Sequence, residues 1–453
     1  MIRCYRVLLA ILLTALVGLS ANAAKKPNIV LILSDDHTFT DYGFMGHDVI
    51  QTPSLDKLAS QSTLFRRGYV PTALCRPALM TLATGTYAHR NLITGNDPAT
   101  TDANQAHVND KKKPAKAQLI DNIDRFQTIP QALAKQGYLS HQSGKWWEGS
   151  YQRGGFTHGM TRGYPQQGGR HGDDGLTIGR DSMAPVFDFM DQAIEEDKPF
   201  FIWYAPLLPH TPHNPPKRLL DQYTAKGRHL SVAKYFAMVH WFDETCGQLL
   251  QRIDDTGIAE NTLVIYVTDN GWIQREGGGY APRSKRSPNE GGTRTPIMYR
   301  WPGKIAPADR AELATSLDIY PTILAAAGAD IPEDRPGLNL MPHLTTGKTI
   351  ERNTIFGESF AHDIADIHNP EASLLYRWVI QGDLKLLLTY DGSTAGMRYP
   401  PKGFEPQLYD LAKDPHEKHN LAKDHRGKVK ELTAQLNGWY RPKQAKHSGK
   451  AKP

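Results

Sequence analysis

The sequence predicts an α/β fold built around a large, mostly parallel, buried sheet. Three observations predict it. Short apolar runs at residues 28–33, 199–205 and 262–268 have the length and the β-branched and aromatic content of strands covered on both faces. Helix-patterned stretches lie between them, at residues 52–59, 128–136 and 235–253. Two of the runs end in polar clusters, Ser34-Asp35-Asp36 and Asp269-Asn270-Gly271. In open α/β sheets, ligands bind just outside the carboxyl ends of the strands.

The elements follow in order. Arg3 and Arg6 precede an apolar run over residues 7–19 and then Ala21-Asn22-Ala23. This is the pattern of a secretory signal peptide, so export to a periplasm or to the outside is expected, with cleavage near Ala23. The run is too short for a membrane span, and no later segment is long and apolar enough for one. Thr52-Pro53 opens the first helix, with Thr52 expected as its N-cap. The helix at 128–136 is stopped by Gly137. Residues 95–125 are polar and Lys-rich and read as an insertion, a long loop beside a site, or disorder. Residues 170–181 are Gly- and Asp-rich loop. A smaller C-terminal α/β unit is expected from Gly347, with strand material at 374–389 and a terminal helix at 428–439. The expected division is therefore 1–23 signal peptide, 24–346 catalytic domain, 347–440 C-terminal subdomain and 441–453 a basic, disordered tail.

The chain has 453 residues, 40% hydrophobic and 22% charged, which is ordinary for a globular protein. Its net charge of +6 is partly local, in Lys111-Lys112-Lys113 and the tail. Such charge is compatible with anionic glycans or with a solvated face. No nucleic-acid-binding motif is present. Once the signal is removed, only Cys75 and Cys246 remain, which excludes a disulfide scaffold but leaves a single pairing open. Oligomeric state is left open.

Cys75 sits where a helix should begin, with Pro77 in the first turn and Gly85 at the stop. A cysteine there meets unpaired backbone N–H groups and the positive end of the helix dipole. Alone, it also fits a buried small hydrophobe. Asp35, Asp36, Asp269 and Asn270 supply carboxylate and amide oxygens at two strand ends, a donor set suited to Ca²⁺ or Mg²⁺. Each taken singly is also ordinary turn chemistry. Lys145 lies between Gly144 and Trp146-Trp147. His210 and His213 lie in Pro209-His210-Thr211-Pro212-His213, and Lys285 comes five residues before Glu290-Gly291-Gly292.

Taken together, these segments resemble the type I sulfatases of the alkaline-phosphatase-like superfamily. Cys75, Pro77, Thr84 and Gly85 are similar to the family's Cys-x-Pro-Ser-Arg signature and later Thr-Gly. Gly144-Lys145-Trp146-Trp147-Glu148-Gly149 is similar to Gly-Lys-Trp-His-Leu-Gly. Pro209 to His213 is similar to Pro-His-x-Pro-His, and Lys285 to Pro296 to Lys-x4-Glu-Gly-Gly-x-Arg-x-Pro. Residues 318–328 and 408–421 also match, so the resemblance covers roughly residues 27–422.

The resemblance implies an alkaline-phosphatase-like sandwich and hydrolysis of sulfate monoesters, with a sulfated carbohydrate as substrate. It implies a formylglycine made from Cys75 by a maturation enzyme. It places Ca²⁺, or Mg²⁺, on Asp35, Asp36, Asp269, Asn270 and the modified Cys75. Lys145 and Lys285 would bind sulfate and His210 would protonate the leaving oxygen. Glu290 and Arg294 are read as structural, an ion pair or turn support.

Two positions depart from the family pattern. Leu79 stands for its arginine and Trp147 for its second histidine. Arg76, His89, His141 and Glu148 are candidates to compensate. Trp146, Trp147 and Trp272 are candidates to stack on sugar rings, or core residues. A phosphoric or phosphonic ester hydrolase and a sulfated-glycan binder are the rival expectations.

Overall fold

Nine strands make the central sheet of the computed structural model, which describes residues 25–224, 227–390 and 403–443. The expected signal peptide and residues 444–453 of the basic tail lie outside the described residues. The strands are β1 (Asn28–Ser34), β2 (Thr63–Tyr69), β3 (Leu139–Gly144), β4 (His158–Gly159), β5 (Phe200–Ala205), β6 (Thr262–Thr268), β7 (Arg294–Arg300), β8 (Ala308–Arg310) and β9 (Ala314–Thr315). Across the sheet the order is β9-β2-β7-β6-β1-β5-β3-β4, with β8 also paired to β2. Only β7 runs antiparallel to its neighbours.

The central strands β1, β5 and β6 are buried along their whole length, as their unbroken apolar runs require. Their side chains alternate between two cores. Ile29, Leu31 and Leu33 enter one core, with α2 (Cys75–Thr84), α3 (Ile129–Ala134) and α6 (Ile319–Ala327). Val30 and Ile32 enter the other, with α1 (Pro53–Ser60), α4 (Ala184–Glu195) and α5 (Leu230–Asp255). The α/β expectation therefore holds. Cys75 belongs to the first core and Cys246 to the second, so the sheet separates them and both are free thiols.

A second sheet follows in the chain. It is antiparallel, in the order β10 (Thr354–Phe360), β11 (Leu374–Gln381), β12 (Leu384–Thr389) and β13 (Gln407–Asp410). Helix α7 (Arg426–Trp439) covers it through Leu432 and Leu436. Trp378 of β11 joins Tyr69 of β2, so the two sheets share apolar contacts. No helix among the described residues is long and apolar enough to cross a membrane.

Two expectations are corrected. Residues 95–125 are not loop: they hold helices at Asp102–Lys111 and Ala115–Ile120 and a tight turn at Asp121–Arg125. Buried amides fix them, Asn104 Nδ2 donating to the Ala99 and Ile364 carbonyls and Gln118 Nε2 to His107 and Lys113. Thr52 sits at the N-cap of α1, but its side chain bonds Asp56 instead of the helix N–H groups. Asp243 of α5 caps that helix, accepting from Ser54 N at 3.0 Å and Leu55 N at 2.7 Å.

Candidate functional site

The parallel register brings the carboxyl ends of β1, β3, β5 and β6 to one edge of the sheet. Asp35 and Asp36 leave β1 there. Asp36 adopts φ 62°, a left-handed conformation that costs a non-glycine residue about 1–2 kcal/mol. Its N–H donates to Asp269 Oδ1 at 3.1 Å, and Asp35 N donates to Leu208 O at 3.0 Å. The strain is thus held by the two neighbouring strand ends, and it turns consecutive carboxylates into one site. At the end of β3, Gly144 has φ 81°, and a Cβ there would fall 1.8 Å from Ala205 O. Only glycine lets β3 approach β5 so closely before Lys145.

Cys75 begins α2 and lies between two buried ammonium groups. Lys145 Nζ is 3.4 Å and Lys285 Nζ 3.3 Å from its sulfur. Lys285 also donates to both Asp36 oxygens, at 2.6 and 2.7 Å. Lys145 Nζ lies 2.6 Å from Asp35 Oδ2 as an ion pair. His210 Nε2 is 3.4 Å from Asp36 Oδ2, while its Nδ1 donates to Thr211 O at 2.6 Å. Asn270 Nδ2 donates to Asp36 Oδ1 at 2.7 Å. Asp35, Asp36, Cys75 and His210 thus form one cluster of potential metal ligands.

The electrostatics follow from burial. Desolvation pushes the Cys75 thiol up to about 12 despite Lys145 and Lys285, so the thiol itself is protonated. Burial raises Asp35 to about 6 and also raises Asp269. Burial opposes ionisation of Asp36 too, but Lys285, His210 and Lys145 outweigh it and hold the carboxyl below its usual range. Burial takes His210 down to about 4. Burial also works against Lys145 and Lys285, yet Asp35 and Asp36 raise both above their ordinary values.

These residues fit a hard divalent cation. Three buried carboxylates, Asp35, Asp36 and Asp269, face two ammonium groups, which leaves negative charge unbalanced. Asp269 Oδ2 and Asn270 Oδ1 are buried without a hydrogen-bond partner. Orphaned oxygens beside raised carboxyls are the donor chemistry that such a cation satisfies.

The structure brings together Asp35, Asp36, Cys75, Lys145, His210, Asp269, Asn270 and Lys285. His213 lies to one side, its ring against Tyr235 and Trp272. Glu290 and Arg294 form an ion pair at 3.6 Å, as expected. Of the candidates to compensate, His89 pairs with Glu358 and stacks on Tyr440, and His141 packs against Phe189 of α4, so neither faces Cys75. Arg76 and Glu148 form a fully buried bidentate pair, both contacts at 2.7 Å. Leu79 is buried in the first core.

The tryptophans are not open to a sugar. Trp146 is core, edge-on to Trp203 and Phe156. Trp147 lies buried beneath Arg170, and Trp272 is buried with Lys285 over its ring.

Sequence reasoning missed Arg180 and Asn96. Arg180 ties down the His210 segment by donating to the Leu207 and His210 carbonyls. Asn96 Oδ1 accepts from Arg76 N, the first N–H after Cys75. A Gly95-Asn96-Asp97 turn is the one sequence signal for it, and nothing marks Arg180.

Comparison with known proteins identifies the family. The sulfatase family model matches residues 27–329, and the C-terminal model of N-sulphoglucosamine sulphohydrolase matches residues 278–442. The chain is 30% identical to human arylsulfatase A over 91% of its own length and 86% of that protein. It is 29% identical to the N-acetylgalactosamine-6-sulfatase of Rattus norvegicus, over 78% of this chain and 72% of that protein. A solved structure in complex with its substrate D-glucosamine-2-N,6-O-disulfate shares the fold at TM-score 0.69 and 21% identity. It covers 92% of this chain and 97% of that chain. With a family model over two thirds of its length and a cluster of buried carboxylates, lysines and cysteine at the strand ends, this chain belongs to the sulfatase family and is a sulfuric ester hydrolase.

Proposed function

We propose that this protein is an exported, Ca²⁺-dependent sulfatase acting on a sulfated carbohydrate through a formylglycine made from Cys75. One observation carries the reading: the Cys75 sulfur lies between two buried ammonium groups and beside buried carboxylates with orphaned oxygens. Two cations against a protonated thiol serve no purpose of the thiol itself. They suit oxygens bearing negative charge at that position. A formylglycine hydrate would supply the attacking hydroxyl and an exit for the bound sulfate. A Ca²⁺ ion, or Mg²⁺, on Asp35, Asp36, Asp269, Asn270 and the converted Cys75 would supply positive charge to a sulfate oxygen.

The chain's own residues do the rest. Lys145 and Lys285 hold the sulfate and stabilise charge that develops on its oxygens. Because both are buried, their effect is stronger than it would be in water. Asp35 and Asp36 keep the two ammonium groups aimed at residue 75. Thr211 O accepts from Nδ1 of His210, which leaves Nε2 facing the site; once the anionic substrate has drawn a proton onto Nε2, His210 would give it to the leaving sugar oxygen. The buried Arg76–Glu148 pair stands near Cys75 without a free charge, so it supports the helix start. The sugar substrate is supported by relatives named for sulfated amino sugars.

Peptide mass spectrometry across Cys75, on protein from its native host, tests the proposal. An aldehyde is expected, together with one Ca²⁺ per chain by elemental analysis. An intact thiol would remove the formylglycine mechanism.

A further inference from the structure

Arg170 has an environment that the reaction described above does not use. Its guanidinium lies 4.7 Å over the Trp147 ring, and its Nε and Nη2 both donate to Asp97 Oδ2, at 2.8 and 2.5 Å. Ring and carboxylate together fix the plane of the group. Nη1 takes part in neither contact with Asp97, and the side chain is 45% exposed. Such a preorganised fork, with one edge left over, is the geometry that recognises a sulfate or carboxylate.

The charge balance points the same way. Asp97 serves a second cation, Lys116, at 3.3 Å. One carboxylate therefore balances two cations, and a positive charge remains. Lys116 is held below its ordinary value, chiefly by burial, which Asp97 only partly offsets. Added negative charge would relieve it.

The location ties this pair to the reaction centre. Trp146 N donates to His171 O at 3.1 Å, so the segment carrying Arg170 is fastened to the segment carrying Lys145. Asn96, next to Asp97, holds the N–H of Arg76 at 3.2 Å, directly after Cys75. Asp97 also borders a cavity of about 300 Å³, lined by Lys116, Thr101 and Gln105 among others.

We propose that Arg170, with Lys116, forms a subsite for a second anionic group, sulfate or carboxylate, on the sugar that carries the scissile ester or on its neighbour. This rests on the sulfated-carbohydrate reading and narrows it to substrates bearing more than one negative charge.

Binding, read without turnover, tests it. Full-length protein with Cys75→Ala is titrated calorimetrically at low ionic strength with a hexose monosulfate and with the same sugar carrying a second sulfate. The disulfate is expected to bind at least about tenfold tighter, consistent with one charge-assisted bidentate contact. Arg170→Gln in the same background should reduce that ratio to within about threefold, and Lys116→Gln should reduce it by a smaller factor, since it leaves Arg170 in place. Equal binding of the two sugars before substitution, no binding of either, or a ratio that survives Arg170→Gln would overturn the subsite. A chain that binds as expected but, with Cys75 restored, releases no sulfate would instead overturn the hydrolytic reading and leave the subsite standing.

Discussion

Lys285 touches both oxygens of Asp36 and the sulfur of Cys75, so in the proposed reaction it would serve structure and charge stabilisation at once. Lys285→Met should lower turnover of an aryl sulfate by about 10²–10³-fold, the usual effect of removing one preorganised charge from an anion site. Sulfate release by the purified, folded variant measures it, and a loss of less than tenfold would deny the lysine its role. A different residue contributes to the acid limit of stability. His141 packs against Phe189, its Nδ1 is buried without a partner, and burial pushes the ring down to about 4. Because the folded value lies below the unfolded one, the unfolded chain takes up the proton first. The stabilising contribution is complete above about pH 6.5 and is lost as pH falls toward 4. His141→Phe should therefore flatten the fall of the thermal midpoint between pH 6.5 and 4. An unchanged slope would show that other groups control it. The residues at strand ends were legible in the sequence because unbroken apolar runs announce where such strands stop, and carboxylates just beyond them stand out. Arg180 and Arg170 were not, because a loop arginine carries no pattern. What each does is decided by which carbonyl or carboxylate the fold brings beside it.

At the scale of the element, local signals marked where helices start but not always what caps them. Thr128 does what its sequence suggests, forming a capping box with Gln131 at the start of α3. Thr52 does not, since the Asp243 carboxylate from α5 takes the N–H groups of Ser54 and Leu55. A cap supplied from another helix cannot be read from spacing along the chain. Asp243→Ala should leave two N–H groups without an acceptor and cost about 1–3 kcal/mol. Urea unfolding checks this, and Thr52→Val, which leaves those two bonds intact, should cost α1 less. The helices within residues 102–120 were illegible for a related reason. Their sequences lack a clear apolar stripe, and they are fixed by buried amides bonding to distant carbonyls, as Asn104 does to Ile364. That Ile364 belongs to the second sheet's half of the chain could not be known before the fold was.

For the whole molecule, the two sheets meet in a polar network that also holds the Lys285 loop. Lys385 of β12 is fully buried. It donates to Glu290 Oε1 at 2.9 Å and lies 3.2 Å from Glu417 Oε1. Glu290 N donates to Glu417 Oε2 at 2.8 Å, and Tyr69 of β2 donates to Glu290 Oε2 at 3.0 Å. Arg283, two residues before Lys285, donates to Glu417 O. The second sheet therefore does more than cover apolar surface, since its buried lysine is a counter-charge shared by Glu290 and Glu417, which lie against the loop that carries Lys285. Lys385→Met would leave those carboxylates facing each other away from water. The cost should be about 3–5 kcal/mol, as when one partner of a buried ion pair is removed. The loss should also depend on pH with a definite sign. Burial already raises Glu417, and Lys385 is the first influence that lowers it. Without the lysine its folded value rises further above the unfolded one. A carboxyl raised in this way stabilises the fold only while protonated, so its penalty grows as pH rises. Urea unfolding of Lys385→Met and the parent chain should give a smaller difference at pH 5 than at pH 8. Glu417→Gln added to Lys385→Met should recover part of the loss at pH 8 and little at pH 5. Equal differences at both pH values would mean that the two carboxylates find another counter-charge, and the second sheet would then bear on Lys285 through packing alone.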